Sequence, residues 1–465
     1  MRRIAAAAAI LGLAASAAPA VAADENSPNM SFVQNIPYEA RNGTVPNYGT
    51  DIEFATISGR EYALAGSYRN GMHIVDITDP AAPSVSGIYD CGVTQGDVQV
   101  FRQADEAGRV FATYTSDTYG DGTSTCYREA QALGFAVRKP NGSGRNGTFV
   151  VDVTNPAAPK TVSFVEFPQG SHNQTVHPSG DFLYNSNSDL ITSFQPAIEV
   201  VDISDPANPV AAGELSLPTR PGLGTESHDI TFNEDGSRAY SAALSQGVVI
   251  DTTDPASPSV VSSFLDPTIN VWHQSDPYRF TDSKGNEREY LLVEDEFAGA
   301  AGGPVCPSGG VHVFDITGDL EKAPEKVGYW NIDDAAVTHD ATGTCTAHVF
   351  DLHEDAQVMT IAYYNGGVRV VDLAGFADGS GMRELGFYKT ENADSWSAKA
   401  PRVDPVTRDF HLYGNDIARG LDVYAFDGQA ETSQTPGTWL GARAAAKLPK
   451  AKVRAGELKL VCVKP

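Results

Sequence analysis

The sequence predicts an all-β protein, a seven-bladed β-propeller with four-stranded antiparallel blades. Three observations lead there: one strand-and-turn phrase recurs along the chain, further β-type segments flank each copy, and 44 Gly with 28 Pro supply the turns such a fold needs. The phrase reads Gly-Met-His-Ile-Val-Asp-Ile-Thr-Asp-Pro at residues 71–80. It returns at 147–156 and 197–206, in a form one residue shorter at 247–255, in part at 310–317 and 367–373, and degenerately at 420–426. Its aspartates, Asp76, Asp152, Asp202, Asp251, Asp315 and Asp372, lie 49 to 76 residues apart.

Each copy is rich in β-branched residues, is usually opened by Gly and often closes on Asp-Pro or Asn-Pro, which specifies a strand and its exit. A further Pro and a second strand follow, as at 83–89, 159–167, 209–217 and 258–265. Two strands precede the phrase, as at 229–232 and 239–244 around the turn Asn233-Glu-Asp-Gly236. A four-stranded sheet of this size cannot cover both its faces, so the units must stack around an axis. The last unit lacks a fourth strand after Phe426. Residues 31–36 or 458–463 can supply it, and the N-terminal segment is the better choice because it precedes the first complete unit.

The phrase Val-Val-Asp-Ile-Ser/Thr-Asp-Pro resembles the motif of the LVIVD-repeat proteins, extracytoplasmic chains with propeller-like repeats. The resemblance covers about residues 45–428 and departs from the pattern in the short fourth copy and at Ala425, which replaces the aspartate of the seventh. It implies the scaffold and export, and no defined activity.

Export is also read directly. Arg2 and Arg3, an apolar run over 4–18 and the small residues Ala20, Val21 and Ala22 make residues 1–23 a signal peptide, cleaved near Ala22 or Ala23. The expected organisation is therefore a propeller over 24–440 and a basic tail over 441–465, in a monomeric protein that is secreted or held in the periplasm or cell envelope. No later run is apolar for the roughly 18 residues a transmembrane span needs. A formal net charge of −26 excludes nucleic acid as a partner. Five cysteines in an exported chain suggest the local pairs Cys91 with Cys126 and Cys306 with Cys345, leaving Cys462 as the candidate free thiol.

The repeated aspartates are expected to accept backbone N–H groups of the turn that follows, because six equivalent positions on six blades do not form one reaction centre. A second register carries more chemistry. Aligning the innermost strands places His172, His228, His273 and His348 at one position in four consecutive blades, with Thr50 and Gly96 in the equivalent earlier slots. Imidazoles converging on an axial channel suit zinc, copper or another borderline metal, or acid–base work near neutral pH. The plainer reading ties each imidazole to an adjacent blade by a hydrogen bond. Glu294 and Glu296, around Asp295, are weaker candidates to complete a metal site, since an acidic strand end ordinarily lies in solvent. Residues 117–122 have a partial calcium-loop pattern, with Tyr119 in a ligand slot and Arg128 where a bidentate Glu belongs.

No nucleophile elbow, His-Glu-x-x-His or phosphate loop is present. The leading expectation is accordingly a non-catalytic binding scaffold gripping a protein, peptide or glycan through its channel mouth or through rim loops, notably 116–147 and 297–309. The rival is a metal-dependent lyase, oxidase or hydrolase working through the four histidines.

Overall fold

The computed structural model describes residues 24–103, 108–187, 195–220, 223–224, 226–297, 306–333, 344–430 and 437–450. The repeated phrase forms the third strand of each unit: Met72–Asp76, Gly147–Asp152, Ile198–Asp202, Gly247–Asp251, Val311–Asp315, Val368–Asp372 and Gly420–Phe426. Both faces of these strands are covered by neighbouring blades, which is why they read as continuous apolar runs. Ile74 and Val75, successive residues on opposite faces, are both fully buried. The first of these lies in a core shared with Val98, Tyr114 and Phe149 of the next blade.

Seven antiparallel sheets result, making a seven-bladed propeller. The innermost strands run Gly49–Ile57, Val93–Phe101, Asn173–Val176, Asp229–Phe232, Trp272–Thr281, His348–His353 and Ser395–Lys399, and each touches the next around the hub. The seventh blade takes its outer strand from the N-terminal side, as the sequence favours. Met30–Ile36 lies antiparallel to Gly420–Phe426, with Met30 opposite Phe426 and Ile36 opposite Leu421. The alternative, 458–463, lies outside the described residues, as do residues 1–23 and Cys462.

Two sheets gain a fifth strand that the four-strand plan does not contain. Glu25–Asn26 adds to blade six beside Arg383–Lys389, and Gly437–Gly441 adds to blade five beside Glu325–Ile332. The expected boundary at residues 440–441 therefore falls inside a strand, which continues into the short helix Ala442–Ala445 against the same blade. Apolar contact explains the docking: Trp439 lies beside the buried Phe376, with ring centroids 5.8 Å apart.

The six repeated aspartates each accept the backbone N–H two residues on, from Thr78, Thr154, Ser204, Thr253, Thr317 and Ala374, at 2.9–3.0 Å. An arginine at or just before the start of the adjoining strand pairs with several of them: Arg60 with Asp76, Arg109 with Asp152 and Arg288 with Asp315. That second recurrence is faint in the sequence, because the arginines sit at unequal distances from the phrase.

Cys91 and Cys126 form one disulfide and Cys306 and Cys345 another. The first fastens the helix Thr125–Ala132, within the 116–147 excursion, to the end of blade one. Replacing both Cys91 and Cys126 by Ser is expected to lower unfolding stability by about 4 kcal/mol, because the reduced chain regains the freedom of the loop that the bond closes. Denaturant titration checks this, and an unchanged midpoint would contradict it. Among the described residues, no helix is long and apolar enough to cross a membrane.

Candidate metal centre

The four histidines stand where the innermost strands begin. His172 and His228 each donate a backbone N–H to the adjoining strand of their own blade, at Ser186 and Ala242, which fixes where their side chains leave the chain. The register places the rings side by side. His172 and His228 have centroids 4.5 Å apart, His228 and His273 4.1 Å, and His273 and His348 4.4 Å. All four residues are buried, with at most 3% exposure. Trp396 fills the equivalent position of blade seven and closes that end of the arc, 4.6 Å from His348.

Every Nδ1 in the arc is engaged. His228 Nδ1 donates to the His273 carbonyl at 3.1 Å, and His348 Nδ1 to the Trp396 carbonyl at 2.5 Å. A carbonyl can only accept, so in these two rings Nδ1 carries a proton, and a neutral ring then has its lone pair on Nε2. His172 Nδ1 lies 3.2 Å from Asp117 Oδ2, and His273 Nδ1 lies 2.6 Å from Glu294 Oε2. The expected ties between blades are thus present for His228 and His348, and they use the nitrogen that a metal would not need. Burial, then the neighbouring imidazoles, holds His228 and His273 well below the ordinary histidine range, so both are neutral.

The Nε2 edges face a carboxylate. Glu296 Oε2 is 3.6 Å from His273 Nε2, and Glu296 Oε1 is 3.8 Å from His348 Nε2. The Tyr364 hydroxyl donates to Glu296 Oε1 at 2.6 Å, which orients the carboxylate. Ligand atoms of His273, Glu296 and His348 all lie within 4.8 Å of one another. Two atoms bound to one zinc at about 2.0–2.2 Å with tetrahedral angles stand roughly 3.5 Å apart, so the carboxylate-to-imidazole gaps are already close to ligating distance.

Glu294, Asp295 and Glu296 are not a solvent-facing acidic end, contrary to expectation: each is at most 2% exposed. The strand Glu287–Asp295 pairs antiparallel with the innermost strand Trp272–Thr281, with Asp295 opposite Trp272, so its end lies beside His273 at the hub. Burial, then the Glu296 and Asp295 charges, pushes Glu294 well above the usual carboxylate range. Asp295 faces away from the arc and accepts the Asn270 and Val271 N–H groups at 2.9–3.1 Å, clamping the turn that leads into His273.

The calcium-loop pattern does not assemble around one centre. Asp117 turns to His172, whereas Asp121 accepts the N–H and hydroxyl of Thr123 at 2.9 and 2.8 Å. Sequence reasoning missed Asp117 as a histidine partner, and missed Tyr364 and Trp396 altogether. Trp396 alone had a findable signal, the seventh slot of the histidine register. Beside the arc the channel opens into a cavity of about 230 Å³, whose wall includes His273, His348 and Trp396. Of the loops expected to form a recognition surface, 116–147 is described, and residues 298–305 of the other lie outside the described chain.

The chain matches the family model of the LVIVD repeat at residues 56–91 and 172–216. Among solved structures it is similar to a functionally unknown protein from Desulfotomaculum acetoxidans DSM 771, at 15% identity and a TM-score of 0.43, covering 73% of this chain and 89% of that one. It is also similar to a protein from Bacteroides fragilis NCTC 9343 provisionally assigned as a 6-phosphogluconolactonase, at 12% identity and a TM-score of 0.47, covering 83% of this chain and 99% of that one. No curated protein matches the chain.

Proposed function

We propose that this propeller of LVIVD repeats is a metal-dependent protein, holding a divalent transition metal at its hub through His273, His348 and Glu296. One observation carries the reading: the Nδ1 of each imidazole in the arc is engaged elsewhere, while a buried glutamate spans the Nε2 atoms of two of them. Metal-ligating histidines characteristically give their second nitrogen to a carboxylate or carbonyl, which sets the tautomer and aims the ligand. Glu294, Asp117 and the two carbonyls fill that supporting role, and Tyr364 fills it for Glu296.

The donor set selects among the candidate ions. Imidazole nitrogen suits zinc or copper and does not suit calcium, which takes oxygen ligands. Two histidines and one carboxylate would leave coordination positions open, as in catalytic sites, and a metal held so would supply a Lewis acid and an acidified water. This geometry favours the metal-dependent reading over the non-catalytic scaffold, for which it offers no comparable anchor. Export accords with the reading: the sequence over 1–23 has the form of a leader, and two disulfides suit an oxidising compartment.

Elemental analysis after dialysis against zinc tests the proposal. One ion per chain is expected, and Glu294→Gln is expected to weaken zinc binding roughly tenfold to a hundredfold. Folded protein that retains no zinc or copper at micromolar free metal would overturn it.

A further inference from the structure

The cavity beside the histidine arc has an unusual charge inventory. Its wall carries Asp51, Glu53, Asp97, Asp229, Asp276 and Asp351 against a single ammonium, that of Lys399. Lys399 Nζ sits 2.9 Å from Asp51 Oδ1 and 2.7 Å from Glu53 Oε1, so the wall already holds one amine between two carboxylates. The other side of the cavity has no counterpart. Asp97 accepts the Gln174 N–H, Asp229 the Ile230 N–H and Asp276 the Thr231 hydroxyl, and among the described residues no lysine or arginine pairs with any of the three.

A second observation points to a missing donor. Asp51 is 5% exposed and lines the cavity, yet its Oδ2 has no hydrogen-bond partner among the described residues. Buried acceptors left in this state cost free energy unless something satisfies them.

The cavity's shape and lining bear on which cation fits. Its volume of about 230 Å³ exceeds that of one ion, since a water molecule takes about 30 Å³. Phe54, Ile230, Val349, Phe350 and Trp396 give the same wall apolar and aromatic surface. Carboxylates combined with a hydrocarbon-compatible wall that includes aromatic rings suit an alkylammonium, through ion pairing and cation–π contact.

We propose that the channel cavity binds a small organic amine, with its ammonium group among Asp97, Asp229 and Asp276 and its remainder toward His273 and His348. Capture of the amine stands on the cavity alone; its role as substrate of the metal centre rests on the reading given under Proposed function.

Calorimetric titration of the full mature chain, with and without zinc, tests this using 1,4-diaminobutane and n-butylamine against 1-butanol and butyrate. Saturable binding of the amines is expected, with butyrate excluded and butanol weaker by roughly tenfold to a hundredfold, the worth of a charge-assisted contact. Asp97→Asn and Asp276→Asn are each expected to weaken amine binding by a similar factor and to leave zinc stoichiometry at the histidines unchanged. Equal binding of butanol and amine would overturn the proposal. So would calcium that saturates the cavity, is lost in Asp276→Asn, and is accompanied by no amine binding. Amine binding by a chain that takes no zinc would refute the metal reading and leave the cavity assignment standing.

Discussion

Replacing His348 by alanine is expected to reduce bound zinc from one ion per chain to none at micromolar free metal. The side chain contributes one of two imidazole nitrogens in the proposed triad, and its loss leaves His273 and Glu296, a bidentate remnant. A purely structural histidine would also destabilise the fold when removed, because its Nδ1 bond to the Trp396 carbonyl ties blade six to blade seven. The two roles separate on metal-dependent stabilisation. Zinc at a hundredfold excess over its Kd adds about 2.7 kcal/mol to a protein that binds it only when folded. The wild-type melting temperature should therefore rise with zinc while that of His348→Ala stays flat, whatever its starting value. An equal rise in both would mean that the imidazole serves only as a tie between blades.

The second large effect concerns closure of the ring. A chain beginning at Pro37 lacks Met30–Ile36, so Gly420–Phe426 loses its outer partner and the buried contacts of Met30 and Ile36. It also loses the Asn35 amide, which donates to the Arg419 carbonyl at 2.9 Å and to Asp422 Oδ1 at 2.8 Å. An exposed strand edge invites association between chains, and the loss is expected to consume most of the roughly 5–15 kcal/mol by which such domains are stable. Circular dichroism and light scattering should report an associated or unfolded product. Adding a peptide of residues 24–37 during refolding should restore cooperative unfolding, because the strand acts by pairing and not by its covalent link. A truncated chain that melts cooperatively, as a monomer, at the wild-type temperature would show that blade seven closes without it.

These effects also mark how far the sequence could be read. The propeller was legible because seven solutions to one packing problem leave the same trace: an apolar strand covered on both sides, followed in six of them by a turn whose aspartate caps the following N–H. The same periodicity exposed the histidines, since residues that recur in register on innermost strands must meet at the hub. What completes the site has no such periodicity. Asp117 reaches His172 from 55 residues away, and Tyr364 reaches Glu296 across 68, each once and from a loop or strand end that the repeat does not duplicate. The run Glu294-Asp295-Glu296 looked solvated because consecutive acids usually are. Only the pairing of its strand with the innermost one reveals that alternate members meet the histidines while the middle one clamps a turn. The strands at Glu25–Asn26 and Gly437–Gly441 escaped for a related reason, being additions to blades that were already complete.

A crystal of the protein grown with zinc, with diffraction recorded on both sides of the zinc absorption edge, tests the central claim most directly. One anomalous peak about 2.0–2.2 Å from His273 Nε2, His348 Nε2 and a Glu296 oxygen is the predicted result. Anomalous signal confined to surface carboxylates, with the hub histidines hydrogen-bonded only to protein, would contradict it.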